Sequence, residues 1–134
     1  MLAEGLDSVL KRILIADDTP AIRVCLRRFL EQQPDWEVCG EAVDGLDALR
    51  KAGDLHPDLV VLDLSMPVMN GLEAARRLHE SMPLLPVILF TSHCTPSLEK
   101  EAAAVGIPDV VSKDRSLVFL TATIQKLFGS IALD

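Results

Sequence analysis

The chain has 134 residues, 49% of them hydrophobic and 25% charged, which fits one globular domain with a real core and excludes a disordered tail. A net charge of −7 argues against a nucleic-acid surface as the main business of this domain and suits an acidic cluster that attracts a cation. Aromatic residues make up only 4%, so the core must be aliphatic, as in sheets covered by helices. Cys25, Cys39 and Cys94 show no metal-ligand or redox spacing. The longest apolar runs fall far short of a membrane span, and the N-terminus carries Glu4 and Asp7 instead of a signal-peptide core. These features predict a soluble, cytoplasmic protein with reduced thiols and no membrane contact.

Residues 1–11 precede the first strand; Leu2, Leu6, Val9 and Leu10 share helical spacing, so the segment reads either as a short amphipathic helix or as a frayed extension. Arg12 to Ala16 is an apolar strand that ends in Asp17-Asp18. Thr19-Pro20 then reads as an N-cap with proline at the first helical position, and Ile22, Cys25, Leu26, Phe29 and Leu30 mark one helix face. Trp36 to Ala42 predicts a second strand. Asp44-Gly45 turns into a helix carrying Leu46, Leu49 and Ala52 and closed by Gly53.

The run Leu59 to Leu62 predicts a strand buried on both faces, with the Asp63 carboxylate at its end. Asn70-Gly71 starts the next helix, on which Leu72, Ala75 and Leu78 face inward, and Pro83 and Pro86 end it. Val87 to Thr91 is the fourth strand. Ser97 is the expected cap of a helix with Leu98, Ala102 and Val105 inside, stopped by Gly106. Val110 to Lys113 is a short fifth strand, and Ser116 to Phe128 the last helix, ended by Gly129. Five β-α units in succession demand a parallel sheet with helices on both faces, because right-handed crossovers allow little else.

In such sheets, sites form at the carboxyl ends of strands. Here those ends carry Asp17-Asp18, Asp63, Thr91 and Lys113. For Asp17 and Asp18 the plainer reading is a solvated turn or a helix cap, but Thr19 is better placed for capping. Thr91 alone would be a routine strand residue and Lys113 alone a surface charge; their weight comes from company. Three converging carboxylates repel one another unless a hard cation sits among them. Mg²⁺, with Mn²⁺ able to substitute, takes carboxylates, water and phosphate oxygens. Asp18 and Asp63 would be direct ligands, Asp17 would act partly through water, and the loop after Asp63 can add the backbone carbonyl of Ser65. A carboxylate is also a nucleophile toward phosphorus, and the ammonium of Lys113 and the hydroxyl of Thr91 would neutralise the transferred group's oxygens.

Of the histidines, His56 reads as a turn residue before proline, His79 as solvent-facing, and His93 as a loop residue near the expected phosphoryl site. Met66, Met69 and Met82 read as packing.

Asp17-Asp18, Asp63 followed by Met66-Pro67 and Asn70-Gly71, Thr91-Ser92 and Lys113, in that order, resemble the receiver domain of two-component response regulators over residues 12–128. The resemblance implies a flavodoxin-like (βα)5 three-layer sandwich with strand order 2-1-3-4-5, flanked here by an N-terminal extension (1–11) and a tail (129–134). It implies phosphorylation of Asp63 by a histidine kinase or phosphotransfer protein, with Mg²⁺ required, and an output surface of the fourth helix, fifth strand and fifth helix that binds an effector or a second copy. Such a protein is a switch that catalyses only its own phosphorylation and dephosphorylation.

Receivers usually carry Tyr or Phe three residues before the lysine, whose ring moves when the Thr swings; Val110 stands there, so signal relay is altered or damped. Lys113 is followed by Asp114 where many receivers have proline, a pattern more reminiscent of receivers joined to helix-turn-helix DNA-binding domains. Val118 and Phe119 are surplus to one buried stripe and are expected either to be exposed for a partner or to lie under Leu2, Leu6 and Leu10. Two other functions remain open. One is a binding module of this fold that signals without phosphorylation. The other is a haloacid-dehalogenase-type phosphatase, although Ser65 stands where that chemistry wants a second acid.

Overall fold

The computed structural model describes residues 10–132. Five parallel strands, β1 (Lys11–Ala16), β2 (Trp36–Ala42), β3 (Leu59–Leu62), β4 (Val87–Thr91) and β5 (Val110–Ser112), form one sheet in the order β2-β1-β3-β4-β5. Helices α1 (Pro20–Leu30), α2 (Gly45–Leu55), α3 (Gly71–Ser81), α4 (Pro96–Ala104) and α5 (Leu117–Ala132) alternate with them, which is the flavodoxin-like α/β fold.

Period-two alternation sorts the strand residues between two cores. Leu14, Ala16, Val60, Leu62, Val87 and Leu89 pack with the alanine-rich faces of α2 and α3 and with Leu98 and Ala102 of α4. Ile13, Ile15, Leu59, Val61, Ile88, Phe90 and Val111 pack on the other face with Leu26 and Leu30 of α1 and Leu120, Ile124 and Phe128 of α5. Because β1, β3 and β4 have neighbours on both edges and helices on both faces, they read as continuous apolar runs. Each large aliphatic side chain so buried stabilises the fold by about 1.5–3 kcal/mol. Trp36 meets Phe128 edge to face, with ring centroids 5.7 Å apart.

The pairing of β1 with β2 is irregular at one point. Its register joins Ile13 to Val38 but Leu14 to Gly40, so Cys39 is the extra residue of a bulge. Before it, Trp36 and Val38 face α1 and α5; after it, Ala42 faces α2. The shift also turns Glu41 toward α1.

Several helix ends differ from the sequence reading. Gly53 lies inside α2, which runs on to Leu55, and His56 ends it in the left-handed region at φ 49°. Pro57 explains why the helix stops there, since it disfavours right-handed helical backbone in the residue before it. The cap of α4 is Thr95, whose side chain accepts from Leu98 N at 3.1 Å with Pro96 following; Ser97 is already in the first turn. Gly106 does end that segment, at φ 91°. The final helix passes through Gly129 to Ala132. Thr19 occupies the N-cap of α1 without a side-chain capping bond. Cys25 and Leu46 are exposed, not core, and His79 is half-buried against Gly106 where a solvent face was expected. The predicted helix of Leu2, Leu6 and Val9 lies outside the described residues.

Candidate functional site

Four of the five strand ends converge at the carboxyl edge of the sheet. Ladder bonds continue past the strands, Asp17 N to Ala42 O at 3.0 Å and Asp63 N to Ala16 O at 2.9 Å, and carry both acids to the same depth. One carboxylate oxygen from each of Asp17, Asp18 and Asp63 lies within 4.8 Å of the others. Asp17 and Asp63 are buried, at 2% and 7% exposure, and Asp18 opens to solvent. The Asp17 Oδ1 accepts from Thr19 N at 2.9 Å and shapes the turn that leads into α1.

Lys113 enters from the end of β5, tied there by its own N–H to Thr91 O at 2.8 Å. Its ammonium donates to Asp17 Oδ2 at 2.8 Å and lies 3.1 Å from Asp63 Oδ1. Burial, then the charge of Asp17, push the Asp63 carboxyl above its usual range against the pull of Lys113. Burial lowers the Lys113 ammonium, but the bonds and charges of Asp17 and Asp63 outweigh it and the net shift is upward. Three carboxylates against one ammonium leave a formal excess of two negative charges in a half-closed cleft. That donor set fits a hard divalent cation with oxygen ligands and room for water.

Thr91 is fully buried, and its Oγ1 accepts from His93 N at 3.0 Å, which leaves the hydroxyl hydrogen for another acceptor. His93 itself is exposed. Ser65 is exposed in the loop after β3, and Met66, Met69 and Met82 pack on the core as expected. Val110 is half-buried, pairs with Leu89, and packs on the core face shared with α4.

The loop after Asp63 is tightly built. Asn70 caps α3 by accepting from Glu73 N at 2.9 Å. Gly71 is required for a reason its place in the Asn-Gly pair does not reveal: a Cβ there would collide with the Asp63 carbonyl oxygen. Gly45 meets the same loop, donating to Met69 O at 3.0 Å, and a Cβ there would strike that oxygen. Val68 holds φ 69°, an uncommon conformation for a β-branched residue, with its side chain in solvent. The sequence reading also missed Arg23, which donates to Asp17 O at 2.7 Å. Its only sequence signal was the pair Arg23 and Arg27, one turn apart on the polar edge of α1.

Comparison with known proteins agrees with this geometry. The response regulator receiver domain family matches residues 13–125. A protein-glutamate methylesterase/protein-glutamine glutaminase of Methanosarcina acetivorans is 37% identical over 107 residues, covering 78% of this chain and 30% of that protein. An uncharacterized transcriptional regulatory protein, YhcZ, of Bacillus subtilis is 42% identical over 103 residues, covering 73% of this chain and 48% of that protein. The chain thus spans about a third to a half of the length of the curated relatives it matches. Among solved structures, a LuxR-family two-component response regulator from Aurantimonas sp. superposes with a TM-score of 0.85 at 31% identity, covering 90% of this chain and 86% of that one. The fold, the acidic pocket and these likenesses agree: the chain belongs to the response regulator receiver domain family.

Proposed function

We propose that Asp63 accepts a phosphoryl group from a phosphohistidine on a histidine kinase or phosphotransfer protein, and that the modified domain binds its partner differently. The observation that carries this reading is Asp63 at the end of a fully buried strand, with two more carboxylates within 4.8 Å and an ammonium at 3.1 Å. Asp63 oxygen forms the new bond to phosphorus as the phosphorus–nitrogen bond breaks, and the departing imidazole keeps its electron pair. The transferred group's charge needs neutralising on its equatorial oxygens. Lys113 can leave Asp17 for one of them, and the free hydroxyl hydrogen of Thr91 serves another. Asp17, Asp18, Asp63 and the Ser65 carbonyl would hold Mg²⁺, which supplies Lewis-acid neutralisation of the remaining charge when bound.

The receiver unit is taken as residues 12–128. Its output surface is α4-β5-α5, where Val118 (66%) and Phe119 (40%) are exposed and Arg115 stacks on Phe119 at 4.5 Å. Val110, half-buried in the position of the mobile aromatic of receivers, would limit how far its own side chain can report the change. The domain acts as a switch, not a turnover enzyme, and works in the cytoplasm; among the described residues no helix is long and apolar enough to cross a membrane.

The test is incubation with Mg²⁺ and acetyl phosphate followed by intact mass. The expected result is one phosphoryl adduct, absent in Asp63→Asn. No adduct, together with no beryllofluoride binding, refutes the proposal and favours a phosphorylation-independent binding module. Rapid multiple turnover of phosphomonoesters would instead favour the phosphatase reading.

A further inference from the structure

The acidic turn between β1 and α1 is held from behind by a cation that the reaction does not use. Arg23 lies near the start of α1, and its side chain is only 14% exposed. Its Nη1 donates to the backbone carbonyl of Asp17 at 2.7 Å while its Nε donates to Glu41 Oε1 at 3.0 Å. Glu41 comes from β2, where the bulge at Cys39 turns it toward α1, and bulges commonly re-aim side chains beside functional sites. The other Glu41 oxygen accepts from Arg27 Nε at 2.7 Å, and the Glu41 backbone carbonyl accepts from Lys51 Nζ. The bond from Arg27 holds the Glu41 carboxyl below the usual range, against burial and with help from Arg23, so the anchor stays ionised.

We infer that Arg23, braced by Glu41, is a positioning residue for the cation pocket: it fixes the Asp17 carbonyl and so sets the spacing of Asp17 and Asp18 against Asp63. The inference rests on the reading of that pocket as a divalent-cation site. The other groups of Asp17 are engaged elsewhere, its N–H with Ala42, its Oδ1 with Thr19 and its Oδ2 with Lys113, so its carbonyl is the point at which α1 can hold it. The Asp17 carbonyl is the group that α1 itself anchors through Arg23, so losing that bond frees the turn that carries Asp18. Such supporting contacts are typically worth about 10–100-fold in metal affinity.

Charge and positioning predict opposite signs, which makes the test sharp. Arg23→Gln removes a positive charge near a cation site, so a purely electrostatic or surface role for Arg23 would make Mg²⁺ bind more tightly. The positioning role predicts the reverse, a loss of about 10-fold or more.

Mg²⁺ affinity is measured by titration calorimetry on the full chain, with circular dichroism melts showing that each variant is folded. Arg23→Gln and Glu41→Gln are both expected to weaken Mg²⁺ binding. Arg23→Lys keeps the charge but not the planar fork that reaches Asp17 and Glu41 together, and is expected to recover part of the loss. Arg27→Gln leaves the Arg23 bridge intact and is expected to bind Mg²⁺ as wild type does. If Arg23→Gln does not fold, Arg23→Lys carries the test, because it keeps the charge and any loss of Mg²⁺ affinity then has no electrostatic source. Folded variants of Arg23 and Glu41 that bind Mg²⁺ as tightly as wild type overturn the inference alone. A wild-type chain that binds no Mg²⁺ overturns the cation-site reading and the inference with it.

Discussion

Replacing the proposed phosphoacceptor should make the metal-free protein more stable. In Asp63→Asn the shape is kept and one charge is removed. At the effective dielectric of about 20 suited to such sites, a like-charge pair at the outer limit of 4.8 Å costs about 3.5 kcal/mol, and Asp63 has two pairs within that limit, with Asp17 and Asp18. Its attraction to Lys113 at 3.1 Å returns about 5 kcal/mol. Solvent screens the Asp18 contribution, while burial of the charge adds a further cost. The balance favours asparagine by about 1–3 kcal/mol.

The assay is urea unfolding in a chelating buffer, followed by the fluorescence of the single tryptophan, Trp36, which is buried beside Phe128. The midpoint should rise at constant m-value. Added Mg²⁺ should stabilise wild type more than the variant and narrow the gap. The pH dependence fixes the sign independently. Because burial and Asp17 raise the folded-state pKa of Asp63, the native state binds more protons than the unfolded state in mild acid, and stability falls as pH rises through that window. The gap between variant and wild type is therefore absent below the ordinary carboxylate pKa and full above the raised one. An Asp63→Asn protein that is equally or less stable than wild type in chelator, at neutral pH, would refute this account of the pocket as a repulsive cluster.

Three further substitutions test the local readings. Gly71→Ala places a methyl group against the Asp63 carbonyl, a backbone atom that cannot step aside; a loss of about 1–3 kcal/mol is expected by urea unfolding, where a helix glycine in open space would gain from the same change. Thr95→Ala removes the capping bond of α4 and should cost about 1 kcal/mol, whereas Ser97→Ala should stay within about 0.5 kcal/mol; the same urea unfolding decides between them.

Strands β1, β3 and β4 were legible because burial on both faces leaves an apolar run with a polar residue at its end. The site was legible for the same reason: Asp17, Asp18, Asp63, Thr91 and Lys113 each stand where a buried strand stops. Helix ends were less so. Gly53 and Gly129 looked like stops, but a glycine ends a helix only where the backbone needs positive φ, and it is His56, before Pro57, that takes the left-handed region. Thr95-Pro96 carries the same capping signal as Thr19-Pro20, and it is Thr95, not Ser97, that caps α4. Arg23 lay further out of reach. Its role depends on a bulge in a strand distant in sequence turning Glu41 toward it, and no local pattern announces a bulge.

The same alternation that organises the core also bears on how a change at Asp63 would leave the site. Thr91 follows Leu89 on β4, and Leu89 pairs with Val110 on β5, so all three lie toward the α4 side of the sheet. If the Thr91 hydroxyl turns to a phosphoryl oxygen, it vacates space on that side, and a receiver with an aromatic at position 110 could fill it by a single large rotation. Valine has one χ angle and a short reach, so it cannot. A second route is already wired. The Thr91 oxygen that would move is the acceptor for His93 N–H, and two residues on, Thr95 caps α4. Turning the hydroxyl away would leave that N–H without its partner, in the turn from Ser92 to Thr95 that leads into α4. With Val110 in place of a ring, a change at Thr91 would reach α4 through the backbone of the β4–α4 loop, which the His93 N–H ties to the Thr91 hydroxyl.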